Sequence, residues 1–257
     1  MTDAQPTNEV FLVPLTLPSA APRVLAAAAI AAEHAGAVRI DVLGVRIPPE
    51  TMIIPGDEAI SAVHLSALVD QEAARVAKLK RAFDLWAPSV GHTIAPNWIE
   101  TDGATADAIA SRAQNADLVI VERPGRPADP GQKQMVDAAI FGSHRPVLVV
   151  PPGTAPVAFG KTVAVAWKDD GRAVKALIPA LRYFAGAELA VLVGYRAGEP
   201  SAALPDALAE RGAAAALHPI PIGPDPFGQT LLDKAKALGA DLRATGIAGR
   251  GWAWTAY

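Results

Sequence analysis

The side chains that could carry chemistry in this chain are few and widely spaced. The histidines make no His-x3-His or His-x-His pair, so the sequence does not predict a metal site. They are His34, His64, His92, His144 and His218. The chain has no cysteine, which excludes disulfides, thiolate catalysis and cysteine-ligated zinc. Neither a Gly-x-Ser-x-Gly elbow nor a Gly-x4-Gly-Lys-Ser/Thr phosphate loop is present.

Three short segments combine residues that are found in active or binding sites. Ser143 and His144 are adjacent in sequence, but this alone does not make a catalytic pair. Asp169 and Asp170 are two adjacent carboxylates that could bind a metal ion, but their place before a predicted helix favours N-capping. Gly142 precedes a predicted strand, so we interpret it as a helix C-cap rather than a phosphate site. No catalytic residue and no metal ligand are therefore predicted, and we do not expect an enzyme.

Composition and charge narrow the possible partners. Of the 257 residues 51% are hydrophobic, and the formal net charge is −3, which gives no electrostatic reason to expect nucleic-acid binding. Residues 1–9 are polar and do not resemble a signal peptide. The apolar run Val24–Ala32 is far shorter than the ~20 residues that span a bilayer, so we expect no membrane segment.

Apolar runs alternate with amphipathic stretches along the first 150 residues, which predicts an α/β fold with a parallel sheet. The predicted strands are Val10–Leu15, Val38–Val45, Asn97–Glu100, Leu118–Val121 and Pro146–Val150. The predicted helices are 20–34, 60–86 and one ending near Asn115 that is capped by Thr101 or Asp102; a fourth contains Asp137–Phe141.

A proline-rich segment, Pro151–Pro156, predicts a domain boundary, after which the strand–helix pattern restarts. The second set of predicted elements comprises strands 162–167, 188–193 and 213–220 and helices 172–184, 204–211 and 225–238. We therefore predict two domains, 1–153 and 157–257.

One strand–helix unit occurs twice. A helix ending near Asn115 leads into Ala116-Asp117-Leu118, and a helix ending near Gly239 leads into Ala240-Asp241-Leu242. The repeat predicts two related domains. Because 16 residues follow Asp241 (257 − 241), a further helix and strand do not fit, and we predict an incomplete second domain.

Three segments resemble the universal stress protein family in its tandem two-domain form: Ala116–Gly125, Gly142–Pro152 and Val163–Ala173. The resemblance implies two Rossmann-like, adenine nucleotide alpha hydrolase-like domains, each with a parallel sheet flanked by helices. It also implies a cytoplasmic, non-enzymatic role in the stress response, as a binding or interaction protein with a small-molecule or protein partner. Some members bind ATP, so an ATP-binding stress protein with weak or no ATPase activity is the alternative.

The resemblance implies where a nucleotide would bind, and the sequence departs from that pattern. ATP-binding members carry an aspartate at the end of the first strand, where this chain has Leu15-Thr16, and Trp167 stands at the second-domain position. The first glycine after the fourth strand is replaced by Glu122, while Gly125 remains. The expected Gly-Ser or Gly-Thr is missing from 133–136. Thr16, Gly125 and Arg126 would contact ATP if it binds, and no other cofactor is expected.

The last residues diverge from the pattern of the first domain. Leu242-Arg-Ala-Thr stands where the first domain has Leu118-Val-Ile-Val, and we hypothesise that a reading-frame shift replaced the natural tail after Leu242. The prediction is a frayed tail whose glycines 249 and 251 bind no anion and whose aromatics, Trp252 among them, are loosely docked. Strand 146–150 would then keep an unpaired apolar edge, which predicts a homodimer through it or poor solubility.

Overall fold

The computed structural model describes residues 9–36, 38–48, 62–125, 127, 129–167, 182–184, 186–196, 198, 208, 214–223, 226–246 and 252–256. The strands are β1 Glu9–Leu15, β2 Val38–Arg46, β3 Ile94–Asp102, β4 Leu118–Glu122, β5 Pro146–Val150, β6 Thr162–Trp167, β7 Glu188–Tyr195, β8 Ala215–Pro221, β9 Leu242–Gly246 and β10 Trp252–Ala256. The helices are α1 Ala21–Ala35, α2 Ala62–Trp86, α3 Thr105–Ala113, α4 Pro130–Asp137 and α5 Phe227–Ala237, with a 3₁₀ turn Ala87–Ser89 and a π-helical segment Ala138–Gly142.

The strands form one continuous sheet in the order β3-β2-β1-β4-β5-β10-β9-β6-β7-β8. The first five strands are mutually parallel, and so are β9, β6, β7 and β8. β10 joins the two groups, parallel to β5 and antiparallel to β9. The predicted α/β class is confirmed. The order β3-β2-β1-β4 recurs as β8-β7-β6-β9, which is the structural form of the sequence repeat.

The central strands are buried on both faces, as their continuous apolar sequences predict. Phe11 and Val13 of β1 pack into one core cluster, whereas Leu12 packs into another on the opposite face. The same alternation separates Ile120 from Val121 on β4. Helices on both sides of β1 and β4 therefore place the carboxyl ends of these strands at the rim of a two-sided core.

The first core cluster extends across residues 9–150 and residues 159–246, which we call the first and second halves. The rings of Phe11 and Tyr183 meet edge to face at 5.5 Å. His34, at the end of α1, donates its Nε2–H to the carbonyl of Phe159 at 2.9 Å, and its ring lies 5.1 Å from that of Phe184. The halves are thus joined by a packed aromatic core in addition to the sheet.

The repeated Ala-Asp-Leu turn has a defined structural role. The Asp117 carboxylate accepts a hydrogen bond from the Val10 N–H at 3.0 Å, which ties the start of β4 to the start of β1. In the second half Asp241 accepts from the N–H groups of Gly160 and Lys161, at 2.9 and 3.1 Å. Each aspartate satisfies amides that precede the strand ladder, which explains why both copies need this residue type.

The predicted cap of α3 is wrong. β3 continues through Asp102, and α3 begins at Thr105 after Ala104, whose backbone is extended and whose side chain makes no cap. Asp102 instead lies 3.4 Å from Arg46 on the neighbouring strand. The chain turns at Gly103, where φ is +130°, a value that favours glycine.

The predicted role of Gly142 also needs correction. Gly142 ends the π-helical segment, Ser143 follows as the C-cap, and the left-handed residue is His144, with φ +55°. Ser143 Oγ donates to the Ala139 carbonyl, so its hydroxyl proton is used within the helix end. Arg145 donates to the carbonyls of Ala113 and Gln114 and so caps α3. The segment is structural, because its polar groups satisfy helix ends.

The prediction of a frayed tail is wrong for residues 252–256. They form β10, with Ala253 opposite Val147 of β5 and opposite Thr245 of β9. The edge of β5 that we expected to be unpaired is therefore occupied, while the homodimer itself stays a prediction. The capping role of Asp169 and Asp170 and the glycines 249 and 251 lie outside the described residues, as do most of the predicted helices 172–184 and 204–211.

Candidate functional site at the carboxyl ends of β1 and β4

The strand order changes direction between β1 and β4, since the chain first builds β2 and β3 on one side of β1 and then β4 and β5 on the other. In open parallel sheets ligands bind at such a switch point, outside the carboxyl ends of the strands. Thr16 follows β1 here, and Glu122 ends β4. Arg23 in the first turn of α1 and Gln132 in the first turn of α4 complete the site.

The Glu122 carboxylate lies at the centre of this site and is 3% exposed. Its Oε1 accepts hydrogen bonds from Thr16 Oγ1 at 3.2 Å and from Gln132 Nε2 at 2.9 Å. Arg23 Nη2 lies 3.8 Å from Oε2, and the same guanidinium donates to the Gly153 carbonyl at 3.3 Å. Glu122 therefore accepts hydrogen bonds from two side chains at the switch point and faces the charge of a third, Arg23, without a hydrogen bond to it.

The electrostatics of Glu122 are dominated by burial. Burial raises the pKa of this carboxyl, and the hydrogen bonds from Gln132 and Thr16 and the charge of Arg23 only partly oppose the increase. The neighbouring Asp129 carboxylate adds to the increase. The protonated form of Glu122 is thus favoured in the folded protein relative to water.

We predict that Glu122→Gln raises the melting temperature at pH 7. The folded pKa is raised, so the stability that Glu122 contributes is complete below its unfolded value of 4.5 and is lost as the pH rises through the folded pKa. Glutamine keeps an oxygen for Thr16 and Gln132 and removes this loss. For a chain of this size 1 kcal/mol corresponds to about 2–4 °C.

The measurement is differential scanning calorimetry between pH 4 and pH 8, in which the advantage of Glu122→Gln should shrink towards pH 4. Glu100→Gln is the control, because this carboxylate pairs with Arg46 at an exposed strand end. A variant that melts at or below the wild-type temperature at pH 7 would contradict the prediction.

A second carboxylate occupies the start of α4. Asp129 accepts a hydrogen bond from the Gln132 N–H at 3.0 Å, and Pro130 at the first helical position has no N–H. Helix N-termini bind anions through free N–H groups, and here the protein supplies the anion itself. α4 already begins at Pro130, so the window 133–136, where the resemblance implied the Gly-Ser, lies inside the helix.

A third group of contacts closes the site on the side of β2. Arg75 of α2 donates to the Thr16 carbonyl at 2.8 Å and to the Val45 carbonyl at 2.5 Å. Its guanidinium also pairs with Glu72, with Nε 2.7 Å from Oε2 and Nη2 2.6 Å from Oε1, and the Ile47 N–H donates to Glu72 at 2.8 Å. Arg75 therefore clamps the ends of β1 and β2 to the long helix.

The pKa of Glu72 moves in the opposite direction from that of Glu122. Burial acts to raise the pKa of Glu72, but the hydrogen bonds from Arg75 and the Ile47 N–H, with the charge of Arg75, outweigh burial and lower it. Glu72 is therefore held ionised by its partner. The difference between the two carboxylates follows from their donors, since Glu72 faces a guanidinium with two matched hydrogen bonds.

The structure brings together only part of the predicted nucleotide-contacting set. Thr16 belongs to the site through its hydroxyl and its carbonyl. Gly125 follows β4 by three residues. Among the described residues a Cβ added there would meet only the Pro127 carbonyl, at 3.7 Å, so none of them requires glycine at this position. Arg126 lies outside the described residues.

Sequence reasoning missed Arg23, Glu72, Arg75 and Gln132. Three of these four positions had a recognisable signal. Asp129 and Gln132 have the spacing of a capping box, and Glu72 and Arg75 lie three residues apart on one helix face. Arg23 had none, because its partner Glu122 is almost a hundred positions away in sequence.

Two other site types find no support in the described part of the chain. No group of three or more histidine, aspartate or glutamate side chains there could hold a metal ion. None of the helices described is long and apolar enough to cross a membrane.

Comparison with known proteins reveals a structural similarity but no sequence match. No protein family model and no curated protein sequence matches the chain. Among solved structures, the crystal structure of a universal stress protein from Archaeoglobus fulgidus DSM 4304 is similar, with a TM-score of 0.60, at 18% sequence identity, over 90% of this chain and 82% of that chain. The chain has the fold of a universal stress protein. At this identity the likeness concerns the fold alone, so the role of the site depends on its own geometry.

Proposed function

We propose that this protein is a cytoplasmic stress-response protein of the universal stress protein type that acts as a non-enzymatic binding or interaction module and does not use ATP. The observation that carries the proposal is the position of Glu122, whose buried carboxylate takes the donors at the β1–β4 switch point. Asp129 accepts the Gln132 N–H in the first turn of α4 in the same region. A nucleotide phosphate would meet two carboxylates where it needs donors.

Catalysis of phosphate transfer is disfavoured for the same reason. Such enzymes stabilise phosphoryl charge with positive groups and amide donors. Arg23 faces Glu122 here, and Arg75 faces Glu72. Among the described residues, each of these two guanidinium groups is therefore opposed by a carboxylate of the protein, which partly neutralises its field.

Equilibrium dialysis of the full chain with radiolabelled ATP and Mg²⁺ tests the proposal. We expect no saturable binding by the wild type at micromolar to millimolar ATP and no phosphate release. Saturable micromolar binding would overturn the proposal and favour an ATP-binding stress protein.

The variant Glu122→Gly identifies the cause of exclusion. If Glu122 blocks the site, this variant should bind ATP or inorganic phosphate measurably more tightly than the wild type, since Arg23 and Gln132 become available. Glu100→Gln removes one charge at the end of β3, where Glu100 pairs with Arg46, and should leave binding unchanged.

The alternative, an ATP-binding stress protein, has one observation in its favour. Arg23, Gln132 and Thr16 already converge within 4 Å of one carboxylate, and three converging donors are what an anionic group requires. Protonation or displacement of Glu122 would release them. In that case the wild type would bind ATP more tightly at pH 5 than at pH 8, a comparison that the same dialysis provides.

A further inference from the structure

Arg23 makes contacts in two directions from the first turn of α1. Its Nη2 lies 3.8 Å from Oε2 of Glu122, at the switch point between β1 and β4. Its Nη1 donates a hydrogen bond to the carbonyl of Gly153 at 3.3 Å. Gly153 lies in the segment that connects β5 of the first half to β6 of the second half. One guanidinium therefore contacts both the candidate site and the connection between the halves.

α1 also holds the other end of this connection. His34, in the last turn of α1, donates to the carbonyl of Phe159 at 2.9 Å, and Phe159 itself is buried. We call residues 153–159 the strap. Six residues reach at most about 20–22 Å, and the rise of an α-helix between positions 23 and 34 is about 16–17 Å. The strap therefore runs along α1 with little slack.

The middle of the strap is exposed to solvent. Thr154, Ala155 and Ala158 are exposed, and Val157 has 96% of its surface accessible. Little burial holds these residues in place, so the position of the strap depends on the contacts at its two ends.

The contact at the Gly153 end depends on the charge of Glu122. The Arg23 side chain is 15% exposed, and among the described residues its Nε is buried without a hydrogen-bond partner. A buried guanidinium without a counter-charge is costly, and the Glu122 carboxylate supplies that counter-charge. If the carboxylate became neutral, the guanidinium would be more stable in water, where long arginine side chains can place their charge. Its hydrogen bond to Gly153 would then break.

We propose that Arg23 is a latch that couples the charge of Glu122 to the strap. The strap is held against α1 while Glu122 is ionised, and it is released at Gly153 when Glu122 is neutralised. A change in the core at the switch point is thus transmitted to an exposed segment that joins the two halves. Glu122 acts on the strap through Arg23 and is a positioning residue in this role. The coupling holds whether or not the switch point binds ATP.

Proteinase K cleavage of the ligand-free, full-length protein at pH 7.5 tests the coupling, with mass spectrometry to identify cuts within the strap. Glu122→Gln imitates the neutral carboxyl and should increase the rate of strap cleavage. Arg23→Met removes the latch and should increase it by about two- to tenfold, the effect of one hydrogen bond on a local opening equilibrium. Glu100→Gln is the control, because Glu100 pairs with Arg46 at an exposed strand end and should not affect the strap.

Combined variants decide whether Glu122 acts through Arg23. Glu122→Gln should have no further effect on strap cleavage in the Arg23→Met background. It should keep its effect in the His34→Phe background, because His34 holds the opposite end of the strap. A merely structural effect of Glu122 would instead add to that of Arg23→Met.

Two further measurements separate local release from general destabilisation. Glu122→Gln is expected to melt at a higher temperature than the wild type, so global unfolding would not account for faster strap cleavage. Cuts outside the strap report global unfolding directly, and an increase shared equally by those sites overturns the proposal. Unchanged or slower strap cleavage in Glu122→Gln also overturns it, as does an effect that adds in full to that of Arg23→Met. If circular dichroism shows that Arg23→Met has lost its fold, Arg23→Gln replaces it under the same criteria.

Discussion

Replacing Arg75 with methionine is expected to lower the free energy of unfolding by roughly 3–5 kcal/mol at pH 7, the usual cost of removing one partner of a buried ion pair. The Glu72 side chain is 8% exposed, so its carboxyl would stay buried without its guanidinium partner. The carbonyls of Thr16 and Val45 would also lose a donor. Urea denaturation at pH 7 measures the change as a lower midpoint at constant slope.

Two variants identify the cause of this loss. The double variant Glu72→Gln/Arg75→Met should recover a large part of the lost stability, since no uncompensated charge stays buried. Lys80→Met is the matched control on the same helix, because the Lys80–Asp84 pair is exposed and worth about 0–1 kcal/mol. An effect of Arg75→Met no larger than that of Lys80→Met would show that the clamp does not hold α2 to the sheet.

The pH dependence of the Arg75→Met effect has a definite sign. The pKa of Glu72 is lowered in the folded protein, so the stability that Glu72 contributes is present above its unfolded value of 4.5 and is lost as the pH falls through the folded pKa. The difference between wild type and Arg75→Met should therefore be largest near neutral pH and should shrink below pH 4.

The second large effect is expected for Gly160→Ala, which should destabilise the protein by about 2–5 kcal/mol. Gly160 has φ +92°, where a side chain costs about 1–2 kcal/mol. An added Cβ would also lie 2.3 Å from Cδ1 of Phe184, whose ring is buried between the two halves. Overpacking of a core typically costs about 1–3 kcal/mol.

Gly36→Ala separates these two contributions. Gly36 has nearly the same φ, +93°, and a Cβ added there meets nothing within 4 Å, so only the backbone cost of about 1–2 kcal/mol is expected. Thermal unfolding of both variants gives the comparison. Equal losses would mean that Phe184 moves aside freely and that the aromatic contacts with His34 and Phe159 do not fix the joint between the halves.

Much of the architecture was predictable because it depends on local patterns. The limits of β5 and β6 agree with the predicted 146–150 and 162–167, since each is a short apolar run with glycine, proline or charged residues nearby. The helices α1 and α5 were placed within about two residues for similar reasons. The repeated Ala-Asp-Leu turn was recognised in the sequence. The backbone N–H groups that donate hydrogen bonds to the two aspartates were not predicted.

The wrong predictions concern segments whose structure depends on pairing with strands that are distant in sequence. The cap of α3 was misplaced because β3 gains its last residues by pairing with β2, which a local pattern does not reveal. The tail was expected to fray because the sequence departs from the pattern of the first domain after Leu242 and no helix follows the glycines. The edges of β5 and β9, separated by more than ninety residues, make residues 252–256 a strand.

The sequence by itself determined the α/β class, the parallel sheet, the repeated Ala-Asp-Leu turn and the presence of a carboxylate at the end of β4. These follow from residue type and short-range spacing. Only the tertiary structure decided what Glu122 does. Its donors come from the end of β1, from α1 and from α4, and folding brings them within 4 Å of a carboxylate that burial keeps away from water.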